Sequence, residues 1–267
     1  MDFDKIVPVL ELYGPVIQSE GSKVGIPHIV VRTTGCVMRC HFGEGGFCDS
    51  WYTSIHPEKG KYTMNDIVKF MMKFPECNHL MLTGGSPTMH PQLCDTIVQY
   101  FKNFHRITDD NGTIIREGVV TLETEGSHIM VTTFPIDLIS LSPKFSNSIP
   151  VEGMMTPIGK KVTAGMVRQH KKSMSNTRNM RILLDNHTDY HFKPVVNPTE
   201  MPEVWDEVLE MIEELNIPKH KVWIMPPGDT KEELIRIYPM LMEFCAENGY
   251  NFTGRDHIIA FGDKREV

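Results

Sequence analysis

From residue 27 onward, β-branched runs alternate with segments of helical period, and this alternation limits the fold more than any other feature of the 267 residues. Ile29-Val30-Val31-Arg32-Thr33 is a strand-like run stopped by Gly35, and His79-Leu80-Met81-Leu82-Thr83 is another, stopped by Gly84-Gly85. Between them Met64, Ile67, Val68 and Met71 share one helical face across residues 64–74. Leu93, Ile97, Tyr100 and Phe101 mark the next helix. Further strands are expected at 119–123, 136–141, 181–184, 221–225 and 257–261. Val204, Val208, Ile212 and Leu215 line one late helix, and Leu234, Ile237, Leu241 and Phe244 line another. Such alternation implies a mainly parallel α/β sheet. Asp109-Asp110-Asn111-Gly112 is a tight-turn sequence, which predicts a hairpin inserted near 106–118. Residues 144–160 read as a loop.

Polar and glycine-bearing segments recur where the strands end. They are Gly35 with the residues after it, Gly84-Gly85, Glu123-Thr124-Glu125-Gly126, Ser140 to Lys144, and Met225-Pro226-Pro227-Gly228. In parallel α/β architectures the C-terminal edge of the sheet carries the active site. These five loops are expected to converge on one mouth.

The first of them contains Cys36, Cys40 and Cys48, spaced C-x3-C-x7-C. Three thiolates are one fewer than the four that close an ordinary iron–sulfur site, so a cluster held here would keep one iron open. Thiolates also suit zinc, with a histidine such as His41 as a fourth ligand. Hydrophobic content of 40% and charged content of 23% are ordinary for a globular protein. A formal charge of −7 argues against a nucleic-acid surface. The short basic run Arg168-Gln169-His170-Lys171-Lys172 reads as a solvated helix face. No apolar run reaches the ~18 residues of a membrane span, and the charged Met1-Asp2-Phe3-Asp4-Lys5 lacks a signal pattern. The expectation is therefore a cytoplasmic protein, in which clustered cysteines bind metal rather than pair. Cys77, Cys94 and Cys245 stand apart and read as small core residues.

The C-x3-C pair followed by Phe47-Cys48 resembles the radical S-adenosylmethionine superfamily signature, usually C-x3-C-x-aromatic-C. Here the second gap is five residues longer, through the glycine-rich stretch from His41 to Gly46. A glycine-rich loop can bulge without moving its ends. Other segments, in order along residues 18 to 265, resemble the 7-carboxy-7-deazaguanine synthase family. They are Gln18-Ser19-Glu20-Gly21, Gly25-Ile26-Pro27, Val31 to Cys36, Cys48-Asp49-Ser50-Trp51-Tyr52, Thr83-Gly84-Gly85-Ser86-Pro87, Glu123 to Gly126, Ser140-Leu141-Ser142-Pro143-Lys144, Arg255-Asp256-His257 and Phe261 to Arg265.

The resemblance implies a partial (β/α) barrel of radical S-adenosylmethionine type. It implies one domain over 1–267, with a barrel core at 27–262 and a substrate-side extension at 1–26. It implies ring contraction of 6-carboxy-5,6,7,8-tetrahydropterin to 7-carboxy-7-deazaguanine, a step toward queuosine and related 7-deazaguanines. The implied cofactors are a 4Fe–4S cluster on Cys36, Cys40 and Cys48, S-adenosylmethionine, and Mg²⁺. The open iron would chelate the methionine end of S-adenosylmethionine, and one electron would cleave its C–S bond to start hydrogen abstraction from the pterin. An external electron donor, flavodoxin-like or chemical, and a homodimer are implied as well.

Site residues carry over one at a time. Phe47, Gly84, Gly85, Ser86, Glu123, Thr124, Ser140, Ser142, Lys144 and Pro226 fall to the cofactor. The family usually has glutamate where Ser86 stands, and threonine where Ser50 stands; the Ser50 hydroxyl would ligate Mg²⁺. Gln18 and Glu20 offer an amide and a carboxylate to the amino-pyrimidinone edge of a pterin. Arg32 sits in an apolar strand and would be satisfied by a substrate carboxylate, or alternatively by a buried protein carboxylate. His257, expected to open the last strand, would hydrogen-bond substrate or serve structure alone. Two other readings stay open: a different radical enzyme, such as a glycyl-radical activase, and a zinc-stapled binding protein.

Overall fold

The computed structural model describes residues 2–42, 46–174, 176–262 and 264–266. The chain begins with β1 (Ile6–Val7) and β2 (Val9–Ile17), turns back through β3 (Pro27–Thr33), and continues through α1 (Trp51–Ser54) and β4 (Tyr62–Thr63). Then come α2 (Met64–Met72), β5 (His79–Gly84) and α3 (Pro91–Phe104). The hairpin β6 (Ile107–Thr108) and β7 (Ile114–Arg116) precedes β8 (Val119–Thr124) and β9 (Leu138–Leu141). The remainder is α4 (Ala164–Met174), α5 (Thr177–Asp185), β10 (Tyr190–Phe192), α6 (Pro202–Glu214), β11 (Trp223–Ile224), α7 (Lys231–Asn248), β12 (Asn251–Phe252) and α8 (Asp256–Phe261).

Six strands form the main sheet in the order β10-β9-β8-β5-β3-β2. All neighbours pair parallel except β2, which runs antiparallel along the edge of β3. Past β10, parallel bridges Phe192–Val222 and Val195–Met225 carry the wall on to β11, which pairs parallel with β12. The result is a partial barrel. Strand period sorts its two faces. Ile29, Val31, Leu80, Leu82, Val120, Leu122, Ile139 and Leu141 pack outward into the core beneath the helices. Arg32, Met81, Thr83, Glu123 and Ser140 alternate with them and face the barrel interior.

The helices cover the outer face as their periods require. Met64, Ile67 and Met71 of α2 are buried, and its start is fixed by a capping box between Thr63 and Asp66. Leu93, Cys94, Ile97, Val98 and Phe101 of α3 follow the same rule, as do Leu234, Ile237, Leu241 and Cys245 of α7. Cys77 is buried too, so all three isolated cysteines are core residues. The expected hairpin is present, with Asp109 Oδ1 accepting from the N–H groups of Asn111 at 2.9 Å and Thr113 at 2.8 Å. No described helix is long and apolar enough to cross a membrane.

Four expectations are corrected. Residues 181–184 are not a strand but lie in α5, where Met180, Leu183 and Leu184 fall on one helical face and the Asn176 side chain caps the start. Residues 257–261 are helical too, in α8, so His257 sits on a helix and not a strand. The edge strand β2 and the short β10 were not expected. The run 168–172 is not wholly solvated: Arg168, Lys171 and Lys172 are exposed, but His170 is fully buried.

Candidate active site

At the C-terminal edge of the parallel strands lies a cavity of about 600 Å³. Every one of the five strand-end loops reaches it. Of the site residues singled out from the sequence, all but Ser86 and Pro226 line it. Ser86 is fully buried behind it, and Met225 faces the cavity where Pro226 was expected.

The cysteine loop is seated by close contact between two strand ends. The Gly35 N–H donates to Thr53 O at 2.8 Å, and the Ser86 N–H donates to Gly35 O at 2.7 Å. A Cβ on Gly85 would stand 2.4 Å from Gly35 O, so only glycine permits this approach. The extended gap between Cys40 and Cys48 closes on itself. Cys48 N–H donates to Cys40 O at 3.1 Å, Phe42 N–H donates to Gly46 O at 2.8 Å, and His41 and Phe47 form an antiparallel bridge. Gly43, Glu44 and Gly45, within the glycine-rich stretch, lie outside the described residues.

The same loop is pinned from outside by α4. The Arg39 N–H donates to His170 Nδ1 at 2.9 Å, which leaves the ring proton on Nε2. Nε2 therefore donates to Ser148 Oγ at 3.0 Å, and Ser148 donates on to Phe145 O at 2.6 Å. Ser148 O accepts from the His41 N–H at 2.9 Å. Burial, then the charges of Lys144 and Arg39, lower His170 to about 4, which keeps the ring neutral as this network needs.

All three thiols are free and line the cavity. Burial pushes Cys36 well up, helped by Glu125 and by Cys40. Burial raises Cys40 to about 11, against the pull of Lys144. Cys48 is raised by burial, then by Asp49 and Cys40. Each thiolate is costly here with protein charges alone. Among the described residues no three His, Cys, Asp or Glu side chains converge on a point that would hold a single ion. His41 does not join the sulfurs; its ring packs edge-on against Phe47 at 4.8 Å.

Across the cavity the charges are already paired. Lys193 Nζ bridges Glu20 Oε2 at 2.5 Å and Glu123 Oε1 at 3.1 Å. Glu123 Oε2 accepts from Thr83 Oγ1 at 2.9 Å. Burial would raise Glu20, but Lys193, His257 and Arg255 together bring it to about 2. Arg255 also holds Asp49 at 2.5 Å and donates to Gly228 O at 2.5 Å. His257 Nδ1 shares a hydrogen bond with Ser19 Oγ at 2.8 Å. Arg32 is met by a protein carboxylate: its Nε lies 2.7 Å from Glu11 Oε2, while its other nitrogens donate to Ser50 Oγ at 3.2 Å and Tyr13 OH at 3.0 Å. Glu11, Asp49, Glu125, Lys193 and Arg255 did not emerge as site residues from the sequence. Lys193 was legible only by counting alternation one step past β10.

The loop carrying Gln18 and Glu20 is itself clamped. Gly21 N–H donates to Thr253 Oγ1 at 2.6 Å, and His191 spans Ser22 Oγ at 3.0 Å and Ser140 Oγ at 2.7 Å. Gly21 has φ +71°, and a Cβ there would lie 2.3 Å from the His191 ring.

A partial parallel barrel whose mouth presents three free thiols beside a glycine pair is the arrangement expected of an enzyme of radical S-adenosylmethionine type. No family model matches the chain. Over 266 residues it is 28% identical to 7-carboxy-7-deazaguanine synthase from Halobacterium salinarum, covering 98% of this chain and 93% of that protein. It is 28% identical over 249 residues to the synthase of the same name from Rhodopirellula baltica, covering 93% and 84%. Its fold is similar to the crystal structure of QueE from Escherichia coli, with a TM-score of 0.52 at 17% identity and 92% of each chain covered. Over nearly its whole length the chain is thus similar to 7-carboxy-7-deazaguanine synthases.

Proposed function

We propose that this chain converts 6-carboxy-5,6,7,8-tetrahydropterin to 7-carboxy-7-deazaguanine, in 7-deazaguanine and queuosine synthesis. The observation that carries the reading is that relatives matching nearly the whole chain bear that name, while the three thiols share one cavity with the strand-end residues. Cys36, Cys40 and Cys48 would hold a 4Fe–4S cluster. Gly84, Gly85, Glu123, Thr124, Ser140, Ser142 and Lys144 would surround S-adenosylmethionine, with Phe47, Ser86 and Pro226 adjoining. Ser50 would ligate Mg²⁺. When bound, the cluster and S-adenosylmethionine supply one-electron cleavage chemistry that no side chain can provide.

The chain's own residues bind and orient. Glu20, held ionised by Lys193 and its other cationic neighbours, can only accept hydrogen bonds, which suits the N–H edge of a pterin ring beside Gln18. Because Glu11 already neutralises Arg32, a substrate carboxylate would meet the guanidinium at its Nη edge, next to Ser50. His257 would reach substrate from α8. An external one-electron donor and a homodimer belong to the same reading; sedimentation analysis checks the second.

The test is anaerobic turnover with reductant, S-adenosylmethionine, Mg²⁺ and the carboxypterin. Formation of 7-carboxy-7-deazaguanine is expected. Cofactor cleavage without that product would overturn the substrate assignment.

A further inference from the structure

Among the described residues, one buried carboxylate in the mouth, Glu125, has no cationic partner. Glu125, at the end of β8, is 4% exposed and lines the cavity. Its hydrogen-bond donors are all hydroxyls: Ser86 Oγ at 2.8 Å, Ser127 Oγ through a short bond, and Thr124 Oγ1 at 3.5 Å. Among the described residues no Lys, Arg or His nitrogen pairs with it, whereas Glu11, Glu20, Glu123 and Asp49 each have a cation. Its charged neighbours Cys36 and Cys40 would share its sign. A buried carboxylate in such a place is costly unless a ligand brings positive or proton-donating character to it.

Lys144 is its counterpart. Its ammonium donates to Ser142 O at 2.7 Å and to Ser142 Oγ at 2.9 Å, and no carboxylate pairs with it among the described residues. Both groups border the cavity on the thiol side, and they do not pair with each other. An unpaired carboxylate and an unpaired ammonium around one space complement an α-amino-acid group, which carries an amino and a carboxylate end. Ser86, fully buried and too short to reach the cavity, spends its hydroxyl on Glu125.

We propose that Glu125, braced by Ser86, receives the amino group of the methionine moiety of S-adenosylmethionine, with Lys144 facing its carboxylate. The contact falls one residue past β8, on a side chain that did not emerge from the sequence, and the assignment rests on the function proposed above.

The test is binding to the anaerobically reconstituted, unreduced protein by equilibrium dialysis. The probes are S-adenosylmethionine and its analogue with hydrogen in place of the amino group. Glu125→Gln is expected to weaken S-adenosylmethionine about 10- to 100-fold, the scale of a lost hydrogen bond to a charged group. It should change the deaminated analogue less than about threefold, with iron content preserved. If the unaltered protein binds no S-adenosylmethionine, the proposed function fails and this assignment with it. If it binds, and Glu125→Gln leaves binding unchanged or weakens both probes equally, this assignment alone is overturned. Should Glu125→Gln lose its iron, Glu125→Asp, which draws the carboxylate back by one methylene, decides by whether it weakens the two probes unequally. Discrimination between the two probes supports the assignment, and its absence overturns it.

Discussion

The two sides of the mouth handle charge in opposite ways. On the side formed by Glu11, Glu20, Arg32, Asp49, Glu123, Lys193 and Arg255, acids and bases satisfy each other. On the side formed by the three cysteines, Glu125 and Lys144, they do not. The paired side stabilises the fold as it stands and offers fixed hydrogen-bonding edges. The unpaired side carries a standing cost that the proposed ligands would remove. Stability and ligand binding are thus divided between two walls of one cavity, and mutations should separate them.

The largest effects fall on ligand binding. Cys36→Ala, Cys40→Ala or Cys48→Ala should each lower iron retention and turnover more than about 100-fold, since even changes behind a metal's ligands cost 10–100-fold. Retained iron and activity would remove that cysteine from the set. On the paired side the effect should be on folding. Lys193→Met leaves Glu20 and Glu123 without their shared cation, and should cost about 3 kcal/mol by denaturant unfolding. A loss under 1 kcal/mol would erase the contrast between the walls. Gly21→Ala, which must force a Cβ toward the His191 ring in a left-handed backbone, should cost about 2 kcal/mol.

Smaller effects refine the picture. Burial, then the charge of Lys193, lowers His191 to about 3 from a reference of 6.5. The unfolded chain therefore binds this proton first as pH falls, and stability is lost from about pH 6.5 downward. His191→Phe should flatten that slope by up to about 1.4 kcal/mol per pH unit between pH 6 and 5; an unchanged slope would place the proton elsewhere. Smallest of all, Ser50→Ala should raise the Mg²⁺ concentration for half-maximal turnover about threefold to tenfold, the scale of one lost polar contact. An unaltered titration curve would move the metal from this hydroxyl.

The sequence revealed the convergence of strand ends because period-2 runs and glycine stops are local signals. It misread 181–184 and 257–261 because short apolar runs satisfy both periods, and the deciding features, such as the Asn176 cap, lie outside the runs. It missed β2, where Gly14 and Pro15 interrupt the pattern, as edge strands permit. His170 was hidden among exposed basic neighbours, although a helix turns one residue of such a run inward. The ion pairs of Lys193 and Arg255 join residues far apart in sequence, so no local pattern marks them.

The clamp on the Gln18–Glu20 loop sets an order of events during synthesis. Ser19 bonds to His257 and Gly21 to Thr253, partners 238 and 232 positions apart. Those partners leave the ribosome long after the sheet strands that flank the thiols. Contacts of such separation are slow to form. The wall that carries Glu20 can close only after residues 253 and 257 have been made.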